Sequence, residues 1–193
     1  MPKSTGRSSF KMPRKVNISG RTSTITNSFA QAIIPRIRPS EEEVQSALSV
    51  LGMSANNMEC SYCGSAYELW DHLNPIVHNK RPTGFITEIA NLIPSCKTCN
   101  ESKSGSPWKQ WLFGAAANSP GNRGVSDIKE RAARIGNYED ILKPRKVEFE
   151  RIVNASLWSD YWMEREEIEL ALRQAQTKAD IVWKSVEEHL DAR

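Results

Sequence analysis

Four cysteines in two closely spaced pairs have the clearest chemical meaning in this sequence. Cys60 and Cys63 form the first C-x2-C pair, and Cys96 and Cys99 form the second. Paired thiolates at this spacing are typical of structural zinc sites, in which four sulfur ligands close a tetrahedron around the ion. The sequence therefore predicts that zinc fastens together the two ends of residues 60–103.

The residues between and just after the pairs suit hydrolytic chemistry. Asp71 and His72 are adjacent, Asn91 precedes the second pair, and Asn100 follows the last cysteine directly. An imidazole with its ordinary pKa of about 6.5 can accept a proton from water at neutral pH. Carboxylate and amide oxygens suit a hard cation such as Mg²⁺ or Mn²⁺, which polarises a phosphate. This set favours phosphodiester hydrolysis, with Lys103 as a cationic partner for a phosphate oxygen.

The local pattern predicts the elements that position these side chains. Residues 67–73 are rich in aromatic and β-forming residues, which indicates a short strand. Residues 91–95 form a second apolar run, in which Pro94 favours an edge strand. The pattern becomes helical from Lys97. Because successive strand residues point to opposite faces, the adjacent aspartate and histidine can share one site only if the strand bends or the metal sits at its edge.

Together these motifs resemble the HNH endonucleases, the ββα-metal family of nucleases. The resemblance covers about a quarter of the chain, and the residues that carry it are Asp71-His72, Pro75, Asn91 and Cys96-x-x-Cys99-Asn100-x-x-Lys103. It implies that His72 is the general base and that Asp71 and Asn100 hold one catalytic divalent cation. It also implies that Asn91 braces the loop between the strands, and that the chain falls in the four-cysteine subset with structural zinc.

The function implied by this resemblance is metal-dependent endonuclease action on double-stranded DNA. A compact module of this kind is typical of a restriction or defence nuclease, and a homing or phage-borne HNH nuclease is an alternative. A non-catalytic zinc-ribbon module that binds DNA is a second alternative, and a ribonuclease is a third. DNA binding alone requires none of Asp71, His72 and Asn100, which argues against the zinc-ribbon alternative.

The net charge of +3 hides an uneven distribution. No acidic residue precedes Glu41, and the basic residues before it are Lys3, Arg7, Lys11, Arg14, Lys15, Arg21, Arg36 and Arg38. Residues 1–39 are therefore predicted to form a flexible basic arm, whose first 25 or so residues are mobile when free. The arm residues expected to contact DNA phosphates are Lys3, Arg7, Lys11, Arg14, Lys15 and Arg21. A solubilising tail is the alternative role.

A helix is predicted just before the cysteine module. Ser40 and Glu43 form a capping-box pattern, and the helix should run to about Leu51 before Gly52 ends it. The zinc module is too small to build a core alone, so this helix is expected to pack against it. Residues 40–113 are accordingly predicted to be the nuclease module.

Residues 114–193 are predicted to form a helical C-terminal region. One helix should begin with Ser126 as its cap and run to about Leu142. A long helical region should begin near Val147 and be firmest over 157–190, where apolar residues follow a spacing close to heptads. This stripe suits either packing against its own chain or pairing with a second copy in a homodimer.

The predicted fold class is α+β, rich in helix, with a zinc-stapled ββα-metal module surrounded by helices. No run of about 18 apolar residues occurs, so no membrane-spanning helix is expected. The basic N-terminus lacks the apolar stretch of a secretory signal. Paired cysteines at zinc-binding spacing favour a reducing, cytoplasmic setting.

Overall fold

A computed structural model describes residues 11–191 of the chain, which form two compact units. One unit contains residues 26–159, and the other contains residues 11–25 together with residues 160–191. The helices are α1 (Thr22–Ile33), α2 (Glu41–Val50), α3 (Lys97–Lys103), α4 (Trp108–Leu112), α5 (Ile128–Leu142), α6 (Phe149–Ile152) and α7 (Ala155–Asp191). The strands are β1 (Leu69–His72), β2 (Val77–His78), β3 (Arg81–Pro82) and β4 (Leu92–Ser95). The α+β class is confirmed, whereas the division at residues 39 and 113 stays a prediction.

Strands β1 and β4 form the antiparallel pair on which the module is built. Asp71 lies opposite Ile93, and His72 lies opposite Leu92 at the end of β1. A short hairpin of β2 and β3 occupies the loop between them. Pro94 is tolerated in β4 because the sheet has only two strands, so each has a free edge. The two strands predicted from composition are confirmed with slightly narrower limits.

Helix α2 begins as the capping box predicts. The Ser40 hydroxyl accepts from the Glu43 amide at 3.2 Å, and the Glu43 carboxylate accepts from the Ser40 amide at 2.7 Å. Gly52 follows with a φ of +69°, a conformation that glycine adopts without strain. The apolar face of α2 buries Leu48 and Leu51 in the same core as the cysteines. This helix therefore supplies core that the zinc module lacks on its own.

Two tryptophans of α4 complete the core on the other side. Trp108 and Trp111 are buried, and both indole N–H groups are satisfied: Trp108 donates to Glu139, and Trp111 donates to Ser102. The prediction that Ser126 caps helix α5 is wrong. Helix α5 begins at Ile128, after Asp127, and no side chain caps its first turn.

The other unit consists of residues 11–25 and the greater part of α7. Lys15 lies 2.9 Å from Asp180 and above the Trp183 ring, and the Ile18 amide donates to Gln176 at 2.6 Å. Residues 15–18, expected to be mobile, thus lie against α7. On α7, Leu172 is partly buried, whereas the large apolar side chains of its last ten residues are exposed. Pairing of α7 in a homodimer stays a prediction.

Within residues 11–191, no helix combines the length and the apolar character that a membrane span requires.

Candidate functional site

The four cysteines converge as a zinc site requires. Their sulfur atoms all lie within 4.8 Å of one another, and the sulfurs of Cys63 and Cys96 are 3.9 Å apart. A Zn–S bond of about 2.3 Å in a regular tetrahedron separates sulfurs by roughly 3.8 Å, so the cluster fits one zinc ion. Three of the four thiols are buried in the main core. The metal site and the hydrophobic core are therefore one structure.

Two arginines from the C-terminal part of the unit of residues 26–159 contact the two C-x2-C segments, here called the zinc knuckles. Arg123 donates to the Cys99 sulfur at 3.1 Å. Arg131 donates to the Cys60 carbonyl at 3.2 Å and forms ion pairs with Glu59 and Asp127. A guanidinium beside a thiolate offsets the negative charge that four sulfur ligands leave around zinc.

Asp71 points inward from β1 into a buried polar cluster. The Tyr62 hydroxyl donates to Asp71 Oδ2 at 2.9 Å, and Lys103 Nζ lies 3.1 Å from the same oxygen. Tyr62 and Lys103 have no exposed surface, and Asp71 is 5% exposed. Burial raises the pKa of Asp71, and the Lys103 ammonium and the Tyr62 hydroxyl oppose that rise. Burial, followed by the negative charge of Asp71, raises the pKa of Tyr62, so its hydroxyl remains a donor.

The position of Lys103 in this cluster differs from the role predicted for it from the chemistry of phosphodiester hydrolysis. The side chain expected to meet a phosphate instead lies in the core against Asp71. Tyr62 belongs to the first zinc knuckle and Lys103 to the helix that follows the second. The zinc site thus fixes both groups that orient the Asp71 carboxylate.

Loss of the Lys103 charge is expected to destabilise the fold strongly. Lys103→Met leaves Asp71 buried without its cation, which costs about 3–5 kcal/mol when one partner of a buried pair is removed. Lys97→Met is the matched control, because Lys97 lies on the same helix, is exposed and faces Glu101 across 3.8 Å. An exposed pair of that kind contributes about 0–1 kcal/mol. Urea unfolding of zinc-loaded protein measures both losses, and equal losses would contradict a stabilising Asp71–Lys103 pair.

His72 points away from Asp71, toward the loop between the strands. Its Nε2 atom lies 2.9 Å from the Thr87 hydroxyl oxygen. Burial, then the positive charges of Lys103 and Arg36, lowers the pKa of His72 to about 4. The imidazole is therefore neutral at pH 7, as a proton acceptor must be. In the tautomer whose Nε2–H donates to the Thr87 hydroxyl, Nδ1 carries the lone pair that can take a proton.

Asn91 ties together the two ends of the loop that carries Thr87. Its side-chain oxygen accepts from the Asn74 amide at 2.9 Å. Its side-chain nitrogen donates to the carbonyls of Asn74 and Ile86 at 3.1 and 3.2 Å. The side chain is fully buried, and its three hydrogen bonds join Asn74 to Ile86.

Asn100 lies on α3, half-buried, three residues before Lys103. Residues three apart on a helix are neighbours on one face, about 5–6 Å apart at Cβ. The face that brings Lys103 to Asp71 therefore also carries Asn100. Helix α3 starts at the second zinc knuckle, where the Cys96 sulfur accepts from the Cys99 amide at 3.4 Å.

The predicted DNA-contacting residues of the arm are only partly described. Lys3 and Arg7 lie outside the described residues. Lys11, Arg14, Lys15 and Arg21 are exposed, and Lys15 is paired with Asp180. All four belong to the unit of residues 11–25 and 160–191, whereas His72 and Asp71 belong to the unit of residues 26–159.

Three residues at this site escaped the sequence analysis. Tyr62 was passed over although it stands inside the first C-x2-C pair. Thr87 has no local signal, because only the folded loop brings it to His72. Arg36 was counted as arm charge alone, although Pro35 and Pro39 around it indicate an extended segment able to pair with another strand.

Comparison with known proteins gives a match in the segment that contains the cysteines and the candidate site. Residues 60–106 match the family model described as HNH endonuclease. No curated protein sequence and no solved structure gives a significant match to the chain. The matched segment contains both cysteine pairs, Asp71, His72, Asn91 and Asn100. The chain therefore carries an HNH endonuclease domain at residues 60–106, and its four-cysteine cluster fits the zinc-binding subset of that family.

Proposed function

We propose that this protein is a metal-dependent endonuclease that hydrolyses phosphodiester bonds of double-stranded DNA, in the cytoplasm, as a restriction or defence nuclease. The observation that carries the proposal is the position of His72 at the end of β1, with Nε2 2.9 Å from the Thr87 hydroxyl, next to the buried Asp71 carboxylate on the same strand. The HNH match supports a nuclease at the level of the domain. The choice of DNA and the defence role rest on the family resemblance.

In the proposed reaction His72 is the general base. A water oxygen forms a bond to phosphorus while its proton passes to His72 Nδ1. The bond from phosphorus to the leaving ester oxygen breaks, and that oxygen is protonated from solvent. Thr87 keeps the ring in the tautomer and orientation that expose Nδ1, which is the usual function of a partner on the second imidazole nitrogen.

Asp71 and Asn100 are the residues that would hold the catalytic cation. Both supply oxygen donors, which Mg²⁺ and Mn²⁺ prefer. The side-chain contacts of Tyr62 and Lys103 both fall on Asp71 Oδ2, so Oδ1 is the oxygen better suited to a cation. When bound, such a cation polarises the phosphate and stabilises the leaving oxygen. Zinc in the cysteine cluster has no open position and serves the fold.

A second candidate is a zinc module that binds DNA without cutting it. The buried Asp71–Lys103 pair favours this candidate, because it gives Asp71 a structural reason to be present. A module that only binds DNA does not account for His72. Its imidazole is hydrogen-bonded to the Thr87 hydroxyl, although DNA binding requires no oriented imidazole at this position.

Replacement of Thr87 tests the assigned role of His72. Thr87→Val removes the hydroxyl while keeping a β-branched shape, so the imidazole loses its fixed orientation. We expect the cleavage rate at saturating DNA to fall by roughly 10- to 100-fold, as for other groups that orient a catalytic side chain. Thr87→Ser keeps the hydroxyl and is the matched control. Equal rates for Thr87→Val and the unchanged protein would remove Thr87 from the mechanism.

A panel of substrates tests the proposed function itself. Zinc-loaded protein is incubated with supercoiled plasmid, single-stranded DNA and structured RNA, each with Mg²⁺, with Mn²⁺ or with no added cation. We expect cation-dependent nicking or linearisation of the plasmid and little loss of RNA. Binding to plasmid without cleavage under every condition would favour the zinc-binding module. Faster loss of RNA would make the protein a ribonuclease.

A further inference from the structure

A short segment before α2 is joined to the loop that holds His72. The Ile37 amide donates to the Thr87 carbonyl at 2.8 Å, and the Thr87 amide donates to the Pro35 carbonyl at 3.1 Å. These two bonds form a parallel bridge in which Arg36 is the direct partner of Thr87. The segment lies outside residues 60–106, so the family match says nothing about it.

The bridge determines the direction in which Arg36 extends. Residues directly opposite each other in a β-pairing project their side chains to the same face. The Thr87 side chain meets His72 Nε2 at 2.9 Å on that face. Arg36 therefore extends on the side of His72, and its side chain is exposed.

The site needs a cation at this position. Attack of water on a phosphodiester adds negative charge to the non-bridging oxygens while the new P–O bond forms and the old one breaks. Lys103 is fully buried and paired with Asp71, so its ammonium is poorly placed to reach a phosphate. An exposed guanidinium beside the general base can donate two hydrogen bonds to phosphate oxygens.

We propose that Arg36 is a catalytic residue of this nuclease, which binds the scissile phosphate and stabilises the charge that develops on it during hydrolysis. This inference rests on the proposed function. It assigns to Arg36 the phosphate contact that was predicted for Lys103. It also places one catalytic residue outside residues 60–106, the segment that the family model matches.

Arg38 provides the comparison that separates catalysis from general attraction to DNA. It lies two residues further along the same segment, is exposed and carries the same charge. It lies beyond the bridge to Thr87. If Arg36 only attracts DNA, loss of either arginine should weaken binding similarly and in a salt-dependent manner. If Arg36 contacts the reacting phosphate, only its loss should slow the chemical step.

The experiment measures single-turnover cleavage of plasmid DNA at saturating protein with Mg²⁺ or Mn²⁺. The variants are Arg36→Ala, Arg36→Lys and Arg38→Ala, each checked for zinc content and circular dichroism, and DNA binding is measured with Ca²⁺. We expect Arg36→Ala to lose about 100-fold in rate, the usual scale for one electrostatic donor to a transition state. Arg36→Lys should recover part of the rate because it keeps the charge without the two-pronged geometry. Arg38→Ala should cleave close to the unchanged rate.

The outcomes separate this inference from the proposed function. An unchanged saturating rate in Arg36→Ala, or an equal loss in Arg38→Ala, would overturn the role of Arg36 and leave the nuclease intact. Absence of cleavage by the unchanged protein would overturn both. If Arg36→Ala fails to fold, Arg36→Lys decides: full activity in that variant would contradict a bidentate phosphate contact.

Discussion

Removal of zinc is expected to unfold the unit that contains residues 26–159. Structural zinc contributes about 10–16 kcal/mol of apparent binding free energy near neutral pH, as much as a typical domain's entire stability. Here the sulfurs of Cys60, Cys96 and Cys99 are buried in the same core as Tyr62 and Leu48. Loss of the ion would therefore release the two cysteine pairs and open the core. Tyr62 and Lys103 would then no longer hold the Asp71 carboxylate in place.

Substitution of single ligands and metal analysis test this expectation. Cys60→Ser and Cys99→Ser should each abolish cooperative unfolding, followed by circular dichroism. The unchanged protein should contain about one zinc ion per chain. Ser65→Ala is the control, because the Ser65 hydroxyl lies 3.2 Å from the Cys63 sulfur but is not needed as a ligand. A zinc-free preparation with full native stability would contradict the structural role of the metal.

Replacement of His72 is expected to abolish nearly all cleavage while leaving the fold intact. His72→Ala removes the proton acceptor, and loss of a general base typically costs about 10²–10⁴-fold in rate. The side chain contributes one hydrogen bond, to Thr87, so its loss should have little effect on stability. Zinc content and DNA binding should therefore be those of the unchanged protein.

His78 is the matched control for His72. It lies on the exposed hairpin strand β2, within the same loop region. His78→Ala should cut at close to the unchanged rate, which separates loss of the base from loss of any imidazole near DNA. Equal activity of His72→Ala and His78→Ala would mean that His72 is not the base.

Features specified by neighbouring residues could be predicted from the sequence. The two C-x2-C pairs, the Ser40–Glu43 capping box and the short apolar runs of β1 and β4 are each set within a few residues. Asn91 could also be singled out by resemblance, and its side chain is hydrogen-bonded to Asn74 and Ile86. Local chemistry is therefore enough to identify the module and its class.

The features that the sequence did not reveal depend on long-range pairing. Lys103 was predicted to contact a phosphate oxygen, but it lies in the core and pairs with Asp71, which also accepts a hydrogen bond from Tyr62. Thr87 meets His72 only because Asn91 closes the loop between them. Arg36 reaches the same place through a parallel bridge across some 50 residues, which no periodicity in the sequence encodes.

The central claim is that a catalytic cation, distinct from zinc, acts with His72 to cut DNA. The most direct measurement is the rate of plasmid nicking by zinc-loaded protein from which all other divalent cations have been removed, as Mg²⁺ or Mn²⁺ is added back. The account predicts no cleavage with zinc alone, a rate that rises and saturates with the added cation, and a flat response from His72→Ala prepared in parallel. Cleavage without an added cation, or the same saturating rate from His72→Ala, would contradict it.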